Sequence, residues 1–91
     1  MVLHRVQPGI SDGVRSRIHG RIVVPVEVRI DAAGRVTKAA ARESGDSIYR
    51  YLSTRAVRAA HLWRFRPARA ANGRRVAAGK TLYFVFTRSA R

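Results

Sequence analysis

The run Gly20–Ile30 constrains the fold more than any other stretch of the chain. Ile22, Val24, Val26, Val28 and Ile30 alternate with Arg21, Val23, Pro25, Glu27 and Arg29. A period of two places one set of side chains on one face of a strand. Here that face is wholly β-branched and must be buried against a covering layer. Such a strand suits the centre of a sheet. Pro25 lacks a ladder donor but falls on the polar face, which predicts a bulge there or no neighbour on that side.

The neighbours of this strand follow from the flanking sequence. Asp31-Ala32-Ala33-Gly34 reads as a hairpin turn: Asp31 bonds the backbone ahead, and Gly34 supplies a positive φ. A second strand runs from Arg35 to about Glu43, with Val36, Ala39 and Ala41 inward. The odd spacing from Val36 to Ala39 predicts a bulge. A last strand runs from about Lys80 to Arg88. Leu82, Phe84 and Phe86 point one way, and Tyr83, Val85 and Thr87 the other.

The covering layer is helical. Ile48, Leu52, Ala56, Ala59 and Trp63 recur at spacings of three and four and share a face, with Arg50, Thr54, Arg58 and His61 opposite. Small alanines let this helix lie close to the sheet. Trp63 is the largest anchor, hiding ~150–250 Å² when buried, and Phe65 follows it. Pro67 stops the helix by Arg64 or Phe65. Its start is open to Asp46, Ser47 or Ser53 as cap. A shorter helix, capped by Ser11 or Asp12 and ending near Arg17, presents Ile10, Val14 and Ile18 to the core. The order α-β-β-α-β defines an α+β two-layer sandwich, a three-stranded antiparallel sheet with two helices on one face. Residues 1–9 form an extended lead-in, 10–88 the domain and 89–91 a tail. The core set is Ile22, Val24, Val26, Val28, Leu52, Ala56, Ala59, Trp63 and Phe65.

Charge raises the question of partners. With 19 basic residues against five acids the formal net charge is +14, which favours a polyanion. The basic residues are scattered, and 17 of the 19 are Arg, a pattern that GC-rich coding also produces. Only Arg64, Arg66, Arg69, Arg74 and Arg75 approach a cluster, inside a polar excursion from Phe65 to Gly79 that holds the turn signal Asn72-Gly73. No motif reads base edges, so a dedicated nucleic-acid role is disfavoured. The chain has no cysteine, hence neither disulfides nor thiolate metal sites. No apolar run spans a bilayer, and no signal-peptide pattern opens the chain.

Catalytic chemistry finds no foothold. His4, His19 and His61 lack ligand spacing. Asp12, Asp31 and Asp46 are accounted for by caps and turns, and Glu27 by an ion pair with basic strand neighbours. Ser11, Ser44, Ser47 and Ser53 have no nearby base, and no glycine-rich phosphate loop follows a strand. The expectation is a binding module without cofactor or metal.

Four segments resemble the C-terminal domain of the TonB energy-transducer family. They are Ile18-His19-Gly20-Arg21-Ile22, the turn Asp31 to Val36, Leu52-Ser53-Thr54-Arg55-Ala56-Val57-Arg58-Ala59, and Trp63-Arg64-Phe65-Arg66-Pro67-Ala68 followed by Asn72-Gly73 and Val76. The third favours Ser53 as the helix cap; the fourth is the most specific. The resemblance implies a periplasmic domain of an inner-membrane-anchored protein. Its last strand would bind the N-terminal segment of an outer-membrane transporter by strand addition. An energising inner-membrane complex would act through an N-terminal region outside this chain. The site is then the edge strand Thr81, Leu82, Tyr83, Phe84, Val85, Phe86 and Thr87, with Asp31 and Gly34 holding the turn. The rival readings are a basic nucleic-acid or anionic-surface binder and a TonB-like self-association domain of another membrane protein. An open sheet edge also invites a homodimer.

Overall fold

The computed structural model describes residues 2–88; the tail 89–91 and Met1 lie outside the described residues. Its centre is a three-stranded antiparallel sheet in the order β3-β2-β7. These strands are β2 (Arg21–Ile30), β3 (Val36–Ala41) and β7 (Ala78–Thr87). Two helices complete the α+β fold, α1 (Asp12–Arg15) and α2 (Ser47–His61). Short strands β1 (Val2–His4) and β4 (Arg64–Phe65) pair with each other, as do β5 (Ala68–Arg69) and β6 (Arg75–Val76). The lead-in, expected to be extended, and the polar excursion with its Asn72-Gly73 turn therefore carry these short strands, with β4 starting at Arg64, just before the excursion.

β2 and β7 pair over ten residues without a register shift, from Arg21↔Thr87 to Ile30↔Ala78. Val24, Val26, Val28 and Ile30 are buried beside Leu82, Phe84 and Phe86. Ile22 is only half-buried; it stands one residue inside the strand's start, at the margin of the covered face. β3 pairs with β2 from Val26↔Ala41 to Ile30↔Val36, and its register shifts between Arg29 and Ile30. Thr37 is the extra residue, so β3 carries the bulge.

Pro25 sits in this sheet without a bulge. Asp31 donates its N–H to Arg35 O at 2.9 Å, and the Thr37 hydroxyl donates to Arg29 O at 3.3 Å. Both bonds point from β2 toward β3. Backbone groups alternate along an antiparallel pair, so the odd residues of β2 face β3 and the even ones face β7. The nitrogen of Pro25 therefore faces the β3 side, where the ladder has already ended at Val26.

The hairpin turn is built as its residues demand. Asp31 Oδ1 accepts from Ala33 N and Arg35 N, each at 2.9 Å, and Gly34 has φ +89. Gly34 has a second duty: its carbonyl accepts from Phe65 N at 2.9 Å. A Cβ at this position would overlap the Phe65 carbonyl oxygen.

Helix α2 begins about two turns earlier than a cap at Ser53 would place it. Asp46 caps it, accepting from Tyr49 N at 2.9 Å, while the Ser53 hydroxyl donates to Arg50 O inside the helix. The carboxylate is the stronger acceptor for orphan amides. The helix ends at His61 with Leu62 as C-cap, short of Arg64, because Arg64 and Phe65 are drawn into pairing with β1 and Gly34. Leu52, Ala56, Ala59 and Ala60 are buried, as is Tyr49, which the spacing argument passed over. Helix α1 is a single turn capped by Ser11 and ends at Arg15 rather than Arg17. Ile18 behind it is fully buried, while Ile10 and Val14 are partly so. Glu27 forms no ion pair, since Ala40 and Thr81 stand opposite it. Among the described residues the one ion pair is Arg35–Asp31, at 3.6 Å.

Candidate functional site

The outer edge of β7 is the most distinctive surface of the domain. Because the even residues of β7 turn their backbone groups toward β2, those of Thr81, Tyr83 and Val85 turn outward. Among the described residues, no strand lies beyond β7 and no hydrogen bond reaches these outward groups. The seven residues of the expected site thus divide by role. Leu82, Phe84 and Phe86 are buried and anchor the strand. Tyr83 and Val85 are 67% and 52% exposed, Thr81 is half-buried, and Thr87 lies at the exposed end.

Two grooves flank this edge. One, of about 370 Å³, lies between Tyr83–Thr87 and the lead-in residues Arg5, Gln7 and Pro8 together with Ile10, with Trp63 on its wall. The other, of about 250 Å³, lies between Ala78–Lys80 and the segment Phe65–Ala68. Trp63 fixes the first groove. Its indole N–H donates to Val6 O at 2.9 Å, and Arg5 lies over its ring at 5.5 Å. Its ring also meets Phe84 edge-on at 5.7 Å and Phe65 at 6.0 Å. The same tryptophan that anchors the core therefore holds the lead-in beside the open edge. The lead-in's place here was missed in the sequence; the indole N–H, which needs an acceptor when buried, was the available signal.

The uncovered face of the sheet adds to the edge. Val23 pairs with Val85 and Pro25 with Tyr83, all four exposed, so an apolar strip borders the outward backbone groups. Asp31 lies at the far end, its carboxyl held below the usual range by the Arg35 and Ala33 N–H groups. Within the Arg64–Arg75 excursion the β5–β6 hairpin is a separate, exposed feature, closed by Asn72 and by Gly73 at φ +84. His4, His19 and His61 are exposed and stand on different elements. Among the described residues no cluster of three or more His, Asp or Glu is placed to hold a metal. No helix among them is long and apolar enough to cross a membrane. No protein-family model matches the chain, and no curated protein matches it.

Proposed function

We propose that this chain is a non-enzymatic peptide-binding module, a TonB-like C-terminal domain acting in the periplasm. In this reading the edge of β7 receives the N-terminal segment of an outer-membrane transporter as an added strand. Main-chain bonds to Thr81, Tyr83 and Val85 give the affinity, and guest side chains rest on the strip of Val23, Pro25, Tyr83 and Val85. A region preceding this domain would link it to an energising inner-membrane complex. The observation that carries the reading is the row of outward, unpaired backbone groups on a long strand whose other edge is fully laddered. A second copy of the chain is a poorer guest, because it would bring +14 against +14.

The test is an amide-shift titration with a transporter N-terminal peptide, using the wild-type chain and Val85→Pro. Proline at an outward position removes an edge donor without touching the β2 ladder. The expected result is shifts along Thr81–Val85 in the wild type and their loss in the variant, with the fold retained. Shifts confined to the Arg64–Arg75 hairpin would overturn the reading.

A further inference from the structure

From Ser47 to the C-terminus the sequence has no acidic residue. The fold gathers much of the resulting charge at one end. β4 lies against Gly34 and pairs Arg64 with Arg35. The β5–β6 hairpin, which leads into β7, places Arg69 directly opposite Arg75. Like charges facing across strands repel, and only Arg35 has a carboxylate within reach. Arg69 gives one nitrogen to Gly73 O at 2.7 Å, which leaves the rest of its guanidinium available.

The same corner exposes two leucines. Leu62, the C-cap of α2, is 57% exposed, and Leu3, the middle residue of β1, is 58% exposed. Pairing of β1 with β4 puts Leu3 beside Arg64 and Phe65, two residues beyond Leu62. Exposed leucines amid cations suit the boundary between lipid headgroups and acyl chains.

We propose that this end of the molecule docks on a membrane leaflet rich in phosphate-bearing, negatively charged headgroups. Arg64, Arg66, Arg69 and Arg75 meet the phosphates while Leu3 and Leu62 enter the headgroup boundary. A nucleic acid fits less well. No exposed aromatic stands here for a base to stack on, and strands of two residues are too short to fill a groove. Arg66 lines the groove beside Ala78–Lys80, but none of the docking residues is one that would bond the guest strand, so the two contacts can be tested apart.

The experiment is co-sedimentation of the chain with vesicles of phosphatidylglycerol and phosphatidylcholine, against phosphatidylcholine alone, at about 100 mM salt. Binding is expected only to the anionic vesicles. Arg64→Glu with Arg66→Glu should weaken it at least about tenfold, since each cation near such a surface matters. Arg69→Glu with Arg75→Glu, on the free hairpin, gives the same reading should the first pair fail to fold. Leu3→Ser with Leu62→Ser should weaken it about fivefold at unchanged charge, and Val85→Pro should leave it intact. Three results would overturn the proposal. These are leucine variants that bind as wild type, displacement by millimolar inorganic phosphate, or tighter binding to a short DNA duplex than to the vesicles.

Discussion

β2 and β7 are ten-residue strands with the same alternation, zipped together along their whole length. One is flanked on both sides and the other on one. Their buried faces are alike in chemistry: β-branched residues on β2 meet Leu82, Phe84 and Phe86 on β7. The difference lies in the backbone. From Val26 to Ile30 every group of β2 has a direction with a neighbour in it, whereas Arg21, Val23 and Pro25 face the side where β3 has stopped. On β7, Thr81, Tyr83 and Val85 face outward with none among the described residues. Side-chain pattern reports the face a strand buries, whereas the hydrogen-bond ladder reports which edge it leaves open.

The largest expected effect tests what the two strands share. Trp63 lies over the inner face through Phe84 and ties down the lead-in through Val6, so Trp63→Ala should cost about 3–5 kcal/mol. A urea midpoint close to wild type would remove Trp63 from the core. Next comes the turn that sets β2 against β3. Gly34→Val meets both a positive φ and the Phe65 carbonyl, and should cost about 3 kcal/mol or more. Gly45 has open space around it, so Gly45→Val should stay within about 1 kcal/mol. Equal losses in thermal melts would refute the double role of Gly34.

A sharper comparison uses adjacent residues of β7. Lys80→Pro deletes a bond to β2 and should cost about 3 kcal/mol, while Thr81→Pro deletes only an outward donor and should cost clearly less. Reversed costs in chemical denaturation would invert the backbone parity and with it the site. The smallest effect concerns Asp31. Its carboxyl titrates below the ordinary range in the folded state, so its contribution is present above about pH 4 and fades as the pH falls through the folded value. Asp31→Asn should flatten the wild-type loss of thermal stability between neutral and acid pH; an unchanged acid slope would exclude Asp31 as a source.

Much of the fold is legible in the sequence because its cues are local. The alternation of Ile22 to Ile30, the turn Asp31–Gly34 and the apolar face of Leu52, Ala56 and Ala59 each stand on spacing alone. The skipped residue between Val36 and Ala39 announces the bulge at Thr37. What escaped depends on contacts distant in sequence. β1 exists because β4 lies beside it, and the helix ends at His61 because Gly34 captures Phe65. Tyr49 is different: it lies three residues before Leu52 and seven before Ala56, so spacing alone could have placed it on the buried face beside half-buried Ile48. The core half of the site, Leu82, Phe84 and Phe86, was visible from alternation. The groove formed by Arg5 to Ile10 was not, since nothing in those residues marks where Trp63 will hold them.

The bond from Trp63 to the Val6 carbonyl joins the lead-in to the sheet, which bears on how a load would pass under the proposed reading. A pull on the lead-in travels through β1 into β4 and through Val6 into the indole. It then reaches the inner face of β7 at Phe84, beneath the strand rather than along its edge. A guest strand drawn along its own axis would stretch all its ladder bonds together, in shear. In the proposed reading, the lead-in and the guest would therefore act on one strand from different sides, the first on its inner face and the second on its outer edge.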